Sequence, residues 1–150
     1  MKKIIFILVI SIIPSSLFSR DYQIFIYEQD SSEVSVDTTF NLYNFTPLEF
    51  IEILKEFSVP TFTLWKEYKD WVKEEDIPVL IKLLDNKESC ANVKNAFSSF
   101  ADMNYSTVAQ EAAYMILSFQ KGKYPSGLNS SKYVWNKKDI IDWWSKFKKQ

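Results

Sequence analysis

The residue types that carry out most enzyme chemistry are absent or poorly spaced in this chain. There is no histidine, so neither a serine nor the lone cysteine, Cys90, has an imidazole base to activate it. Ser131 and Lys132 are adjacent, which is not the spacing of a catalytic Ser–Lys pair. Metal sites draw mostly on histidine or clustered cysteine, and phosphate loops need clustered glycine, whereas this chain has only Gly122 and Gly127. The sequence therefore predicts no catalytic residue, no metal site and no cofactor.

Three carboxylates at helical spacing are the best candidates for acid–base chemistry. Glu49, Glu52 and Glu56 share one face of a predicted helix, and a pair of carboxylates can hydrolyse a glycosidic bond. A carboxylate-dependent cell-envelope hydrolase is therefore one hypothesis. However, this face lies opposite the apolar stripe and next to Lys55, which favours a solvated surface. We expect the three carboxylates to be exposed, and the hydrolase is the alternative function.

Aromatic residues within a polar segment, residues 121–136, form a candidate binding surface. Tyr124, Tyr133 and Trp135 stand among Ser, Asn, Gly and Lys, a composition typical of binding loops. Trp143 follows at the edge of a helical apolar stripe, where the core covers its indole only in part. We predict that the three loop rings and Trp143 bind a protein partner. The competing interpretation is that the loop rings fold back as a lid on the core, because large aromatics are mostly buried.

The N-terminus has the parts of a signal peptide over residues 1–19. Lys2 and Lys3 precede an apolar run, residues 4–13, that is shorter than the roughly 20 residues needed to cross a bilayer. The sequence predicts an exported protein, periplasmic or secreted, without a stable membrane anchor after cleavage. An uncleaved anchor is the alternative, because Ser19 with Leu17 is a weaker cleavage signal than Ala-x-Ala.

Residues 20–45 differ from the rest of the chain and predict an extended or hairpin arm. Residues 22–27 are rich in β-formers, residues 34–36 alternate with period two, and a turn-like cluster separates them. Two strands alone are marginally stable, so the arm is expected to depend on the domain against which it packs.

Residues 46–150 predict an all-α domain of about six amphipathic helices in three hairpins. Apolar residues recur at i, i+3, i+4 and i+7, which places them on one helical face. Thr46 and Thr107 open capping boxes, and Asn136 can cap the last helix. The helix that follows Thr107 is apolar nearly all round, which predicts a central position, and Gly122 is its expected end. The predicted helical stripes cover residues 50–57, 64–72, 77–84, 93–100, 108–119 and 140–147.

One segment resembles a HEAT-type helical repeat. In such repeats a Pro-x-Leu helix, here from Pro78 to Leu80, precedes an Asp turn, here Asp85, and a second helix with small inward residues, here near Ala96. Residues 71–144 are also similar to exported bacterial proteins of unknown role. The resemblance implies a HEAT-like domain that binds protein, and a compact irregular helical domain is the alternative.

Composition excludes further classes of function. The net charge is −1 and the lysines are dispersed among acidic residues, so no nucleic-acid surface is predicted. Cys90 precedes Val93 and Phe97 at helical spacing, which favours a buried small hydrophobe over a reactive thiol or an intermolecular disulfide. The sequence thus predicts an exported protein-binding or adaptor module, such as an inhibitor or immunity-type protein.

Overall fold

The computed structural model describes residues 40–99 and 104–149, and this part of the chain is a mixed α/β domain. About half of it is helical and 16% is in strands. The predicted all-α fold of six helices in three hairpins is therefore wrong. The predicted signal peptide and most of the predicted arm lie outside the described residues. The described helices are α1 (Pro47–Glu56), α2 (Ile77–Lys82), α3 (Val108–Lys121) and α4 (Lys137–Phe147).

Six short strands form three two-stranded sheets within the described residues. Strands β1 and β4 are parallel, whereas β2 pairs with β6 and β3 pairs with β5 in antiparallel fashion. The strands are β1 (Thr61–Leu64), β2 (Tyr68–Lys69), β3 (Ser89–Cys90), β4 (Asn92–Asn95), β5 (Ser106–Thr107) and β6 (Lys123–Tyr124). Short 3-10 turns cover Leu42–Asn44, Glu74–Asp76, Leu83–Asp85 and Ser130–Lys132.

Local capping chemistry places the ends of three helices where the sequence predicted them. The Glu49 carboxylate accepts a hydrogen bond from Thr46 N at 2.7 Å, and Thr46 Oγ1 accepts one from Glu49 N at 3.3 Å, which completes a capping box. Helix α3 begins after Thr107 and ends at Gly122, whose φ of +67° is left-handed. The Asn136 side chain caps α4.

Two predicted helices, over residues 64–72 and 93–100, are wrong. The first segment contributes the end of β1 and all of β2, and the second contributes most of β4 and a turn. Val93 is buried and Phe97 is 82% exposed, so this pair at helical spacing does not share a face. Short apolar runs fit a helix or a strand equally well, and here pairing between distant segments decides the outcome.

Helix α3 lies at the centre of the core, as its apolar surface predicted. It packs against α1, α2, β6 and the Ser130–Lys132 turn. Its Ala112 and Ala113 are fully buried, and such small side chains allow neighbouring elements to come close. Next to it, the rings of Trp71 and Tyr124 lie 4.8 Å apart, and Trp71 Nε1 donates a hydrogen bond to the Phe45 carbonyl at 2.8 Å. This core supports the loop that follows β6.

Candidate binding surface

The carboxylates of α1 have structural partners or face solvent. Glu49 belongs to the capping box of α1. The Glu52 carboxylate lies 2.8 Å from Lys55 Nζ, and Glu56 is exposed. This arrangement is the solvated face that the helical pattern predicted, and it gives no specific support to the hydrolase alternative.

Among the described carboxylates, Glu111 has the most unusual surroundings, and it was not predicted as a site from the sequence. It is fully buried in α3, where it accepts a hydrogen bond from Ser130 Oγ at 2.7 Å. Ser130 Oγ in turn accepts one from Val93 N at 2.8 Å, so the group links α3, the 130–132 turn and β4. Glu111 lies three residues after Val108 and four residues before Met115, and both of these residues are buried. This helical spacing places Glu111 on the buried side of α3, and it is the signal in the sequence that could have identified the residue.

Burial raises the pKa of Glu111 to about 7. Hydrogen bonds oppose this effect because they favour the charged carboxylate; Ser106 and Ser130 contribute, as does the backbone at Val93. Glu111 does not line the cleft described below, so its role here is to join three elements.

The single cysteine is a core residue. Cys90 is buried, and burial raises the pKa of its thiol to about 12, which disfavours the reactive thiolate. The structure therefore agrees with the interpretation as a small buried hydrophobe. Within the described residues, no group of three potential ligands could hold a metal ion. No helix in the same part of the chain is long and apolar enough to cross a membrane.

The side chain of Gln110 fastens the loop after β6 to α3. Its Nε2 donates hydrogen bonds to the carbonyls of Ser130 at 2.7 Å and Tyr133 at 2.8 Å. Its Oε1 accepts a hydrogen bond from Trp135 Nε1 at 2.6 Å. These three bonds hold the end of the loop against α3 and fix the indole of Trp135.

The structure distributes the four predicted binding residues over different environments. Tyr124 is fully buried in the core, so it cannot contact a partner directly in this structure. Tyr133 and Trp135 are half-buried in the loop. Trp143 is half-buried on α4, and its ring packs against Phe119 at 6.1 Å and Phe147 at 5.7 Å. Of the four, only Tyr133 lines the cleft described next.

A cleft of about 440 Å³ separates the C-terminal half of α3 from the loop. The Tyr114 hydroxyl donates a hydrogen bond to the Gly127 carbonyl at 2.9 Å and accepts one from Gly127 N at 2.8 Å, which fixes one wall. The Tyr124–Pro125 peptide bond in this loop is cis. The main side chains around the cleft are Leu117, Lys121, Leu128, Asn129, Lys132 and Tyr133.

Three large apolar residues next to the cleft are exposed. The carboxyl ends of the parallel strands β1 and β4 meet at one edge, where Ala96 N donates a hydrogen bond to the Leu64 carbonyl at 2.9 Å. This edge places Trp65 and Phe97, 61% and 82% exposed, on neighbouring backbone. A third exposed residue, Leu128, lies at the same edge and is 60% exposed.

Leu128 is held at this edge by a 2.9 Å hydrogen bond from Asn95 N to the Leu128 carbonyl. We call Trp65, Phe97 and Leu128 the apolar edge. Leu128 also lines the cleft, so the apolar edge and the cleft share this residue. The apolar edge was not predicted from the sequence, because the helical spacing of Trp65 and Phe97 placed them in two predicted helices.

Comparison of the chain with protein-family models, with curated proteins and with solved structures finds no match. The expected HEAT-like fold is wrong, because the segment that should form the second helix of the repeat, near Ala96, is strand β4 followed by a turn. The similarity to exported bacterial proteins stays a prediction.

Proposed function

We propose that this chain is an exported protein-binding module whose partner docks on the apolar edge and the adjoining cleft. The observation that carries the proposal is the joint exposure of Trp65, Phe97 and Leu128 on neighbouring backbone. Exposed apolar residues that occur singly are ordinary, whereas a contiguous group bordering a cleft is typical of an interaction site. Export is part of the proposal on the strength of the signal-peptide pattern in residues 1–19.

The charges beside the apolar edge favour a partner with acidic groups. Lys66 follows Trp65 directly, with its ammonium 4.9 Å from the centroid of the Tyr68 ring. Lys94 lies in β4, where it pairs with Asn129 through a β-bridge. The nearest acidic residue in sequence, Glu67, is occupied by an ion pair with Lys123 at 2.8 Å. Complementary charge increases the association rate and the specificity of a complex. The occupant that we propose is therefore a protein segment with apolar and acidic side chains.

Aromatic anchors carry much of the binding energy in such a complex. Truncation of a central aromatic residue at an interface typically costs about 2 kcal/mol or more. Phe97 and Trp65 already face solvent, so replacing them removes little core packing. Their loss should therefore weaken binding much more than it lowers the free energy of unfolding.

A phage-displayed library of random linear peptides tests this function. The purified full-length chain should enrich sequences that combine aromatic or aliphatic residues with Asp or Glu. A Trp65→Ser/Phe97→Ser variant should lose that enrichment. The matched control is Leu48→Ser/Ile141→Ser, because Leu48 and Ile141 are also exposed, at 40% and 38%, but lie on α1 and α4.

Two outcomes would refute the proposal. One is the absence of any enriched sequence class with the folded wild-type chain. The other is enrichment that persists in the Trp65→Ser/Phe97→Ser variant, or that the control variant loses equally. An inhibitor or immunity-type role is one version of this function, and the acidic–apolar preference of the selected peptides would define its target class.

A further inference from the structure

We propose that the cleft between α3 and the loop residues 126–133 is a binding site for a carboxylate attached to an apolar group. This inference deepens the proposed function, because the cleft and the apolar edge share Leu128. It concerns the chemistry of a small ligand group, which can be tested whether or not a protein partner docks on the apolar edge.

The charges that line the cleft favour an anion. The two charged side chains among the described lining residues are both lysines, Lys121 and Lys132. Lys121 is exposed at the end of α3 and has no ion-pair partner among residues 40–99 and 104–149. Its ammonium group is therefore available to an incoming carboxylate.

Two buried polar groups in the cleft wall have no hydrogen-bond partner among the described residues. Asn129 is only 7% exposed, and its Oδ1 accepts hydrogen bonds from Ser131 N at 2.9 Å and Ser131 Oγ at 2.8 Å. Those bonds fix the orientation of the amide, so Nδ2 is the end without a partner. Ser126 Oγ, which lies beside the Tyr114 hydroxyl, is a second atom without a geometric hydrogen bond. Both atoms are covered by protein in this structure, so a ligand oxygen reaches them only after a side chain of the cleft wall moves. An unpaired buried donor is unfavourable, which favours that movement when a carboxylate binds.

The remaining walls suit an apolar group. Leu117 and Leu128 contribute aliphatic surface, and the half-buried ring of Tyr133 contributes an aromatic one. The cleft volume of about 440 Å³ lies within the range of roughly 300–1,000 Å³ that is usual for small-molecule sites. Cations and donors next to apolar walls are the complement of a carboxylate on a short hydrocarbon or aromatic group.

Two kinds of ligand carry a carboxylate next to an apolar group, namely a free organic acid and the carboxyl terminus of a protein. The test is a titration of the ¹⁵N-labelled full-length chain, followed by NMR. The probes are 4-phenylbutyrate, its neutral analogue 4-phenylbutanol, a short peptide ending in phenylalanine with a free carboxyl group, and the same peptide amidated. We expect the acid probes to shift the backbone amides of Lys121 and Asn129, and the neutral probes to bind at least about fivefold more weakly.

Substitution of the lysine that borders the cleft tests the charge directly. Lys121→Gln should weaken binding of the acid probes about fivefold, while Lys87→Gln, an exposed change outside the cleft, should change it by less than about twofold. Asn129→Asp provides a second variant, because it exchanges the unpaired donor for a carboxylate oxygen. It should also weaken binding, provided that its amide spectrum remains that of the folded chain.

The comparison of the two acid probes identifies the source. Equal affinity for both would indicate a free organic acid, and a peptide that binds at least about tenfold more tightly would indicate a protein terminus. The inference is overturned if the neutral probes bind as well as the acids, if no amide around the cleft shifts, or if Lys121→Gln has no effect. These outcomes are independent of peptide enrichment at the apolar edge, so failure here and failure of the proposed function are distinguishable.

Discussion

Replacement of Glu111 by glutamine should remove a large part of the pH dependence of stability. The Glu111 carboxyl is fully buried, and burial raises its pKa from an ordinary value of 4.5 to about 7. Between these values the folded chain keeps the proton and the unfolded chain has lost it. The folded state therefore binds more protons, and the free energy of unfolding falls as the pH rises.

The size of this effect follows from the difference between the two pKa values. A difference of about 2.5 in pKa corresponds to about 3 kcal/mol, because each unit is about 1.4 kcal/mol. The stabilisation is complete below pH 4.5 and is lost as the pH rises through about 7. Glutamine has nearly the same shape and stays neutral, so it can keep a hydrogen bond from Ser130 without a charge to bury.

Urea denaturation of the wild type and of Glu111→Gln at pH 5 and pH 8 measures the effect. The wild type should lose about 2.5 kcal/mol more than the variant between these pH values, because at pH 5 the unfolded carboxyl is already largely ionised. Cys90 and Tyr124 do not titrate in this interval, because burial raises both of their pKa values, that of Cys90 to about 12. Glu56→Gln, a change at an exposed carboxylate, should follow the wild type.

The reasoning would be refuted if the wild type and Glu111→Gln lost stability in parallel between pH 5 and pH 8. A loss of the same size in wild type and variant would mean that Glu111 is ionised in the folded chain at pH 5 or is hydrated. The same conclusion would follow if Glu56→Gln and Glu111→Gln lost the same free energy of unfolding between pH 5 and pH 8.

Three further predictions concern backbone conformation, capping and export. Gly122→Ala should lower the free energy of unfolding by about 1 kcal/mol, because φ is +67° and an added Cβ would lie 3.2 Å from Asp70 Oδ1; an unchanged urea midpoint would contradict the left-handed cap. Asn136→Ala should lower it by about 1 kcal/mol through loss of the α4 cap, and unchanged thermal unfolding would argue against that cap. Mass spectrometry of the natively produced protein should find an N-terminus near Arg20, whereas a cytosolic protein that retains Met1 would contradict export.

The sequence predicts those parts of the fold that depend on neighbouring residues. Thr46 caps α1 through Glu49, three positions away, and Gly122 ends α3 by its own backbone preference. The pairing of Phe62 with Val93 depends on residues far apart in the chain, and no local spacing reveals it. The end of β1 and most of β4 were therefore interpreted as parts of helices.

The candidate site was predictable only in part, for the same reason. Composition identified the loop that contains Tyr133, because aromatic residues among small polar ones are visible locally. The apolar edge was not predictable, since Trp65 and Phe97 fit helical stripes and become neighbours only when β1 pairs with β4. Tyr124 looked like a loop aromatic, but pairing of β6 with β2 places it in the core.

Photo-crosslinking in cells of the source organism tests the proposed docking surface most directly. The full-length chain would carry p-benzoylphenylalanine in place of Phe97, Leu128 or, as a control, Leu48, which is exposed on α1. If the apolar edge receives a protein partner, irradiation should yield an adduct with the same protein from positions 97 and 128 and none from position 48. The absence of adducts at positions 97 and 128, or the same adducts at all three positions, would contradict the proposed function.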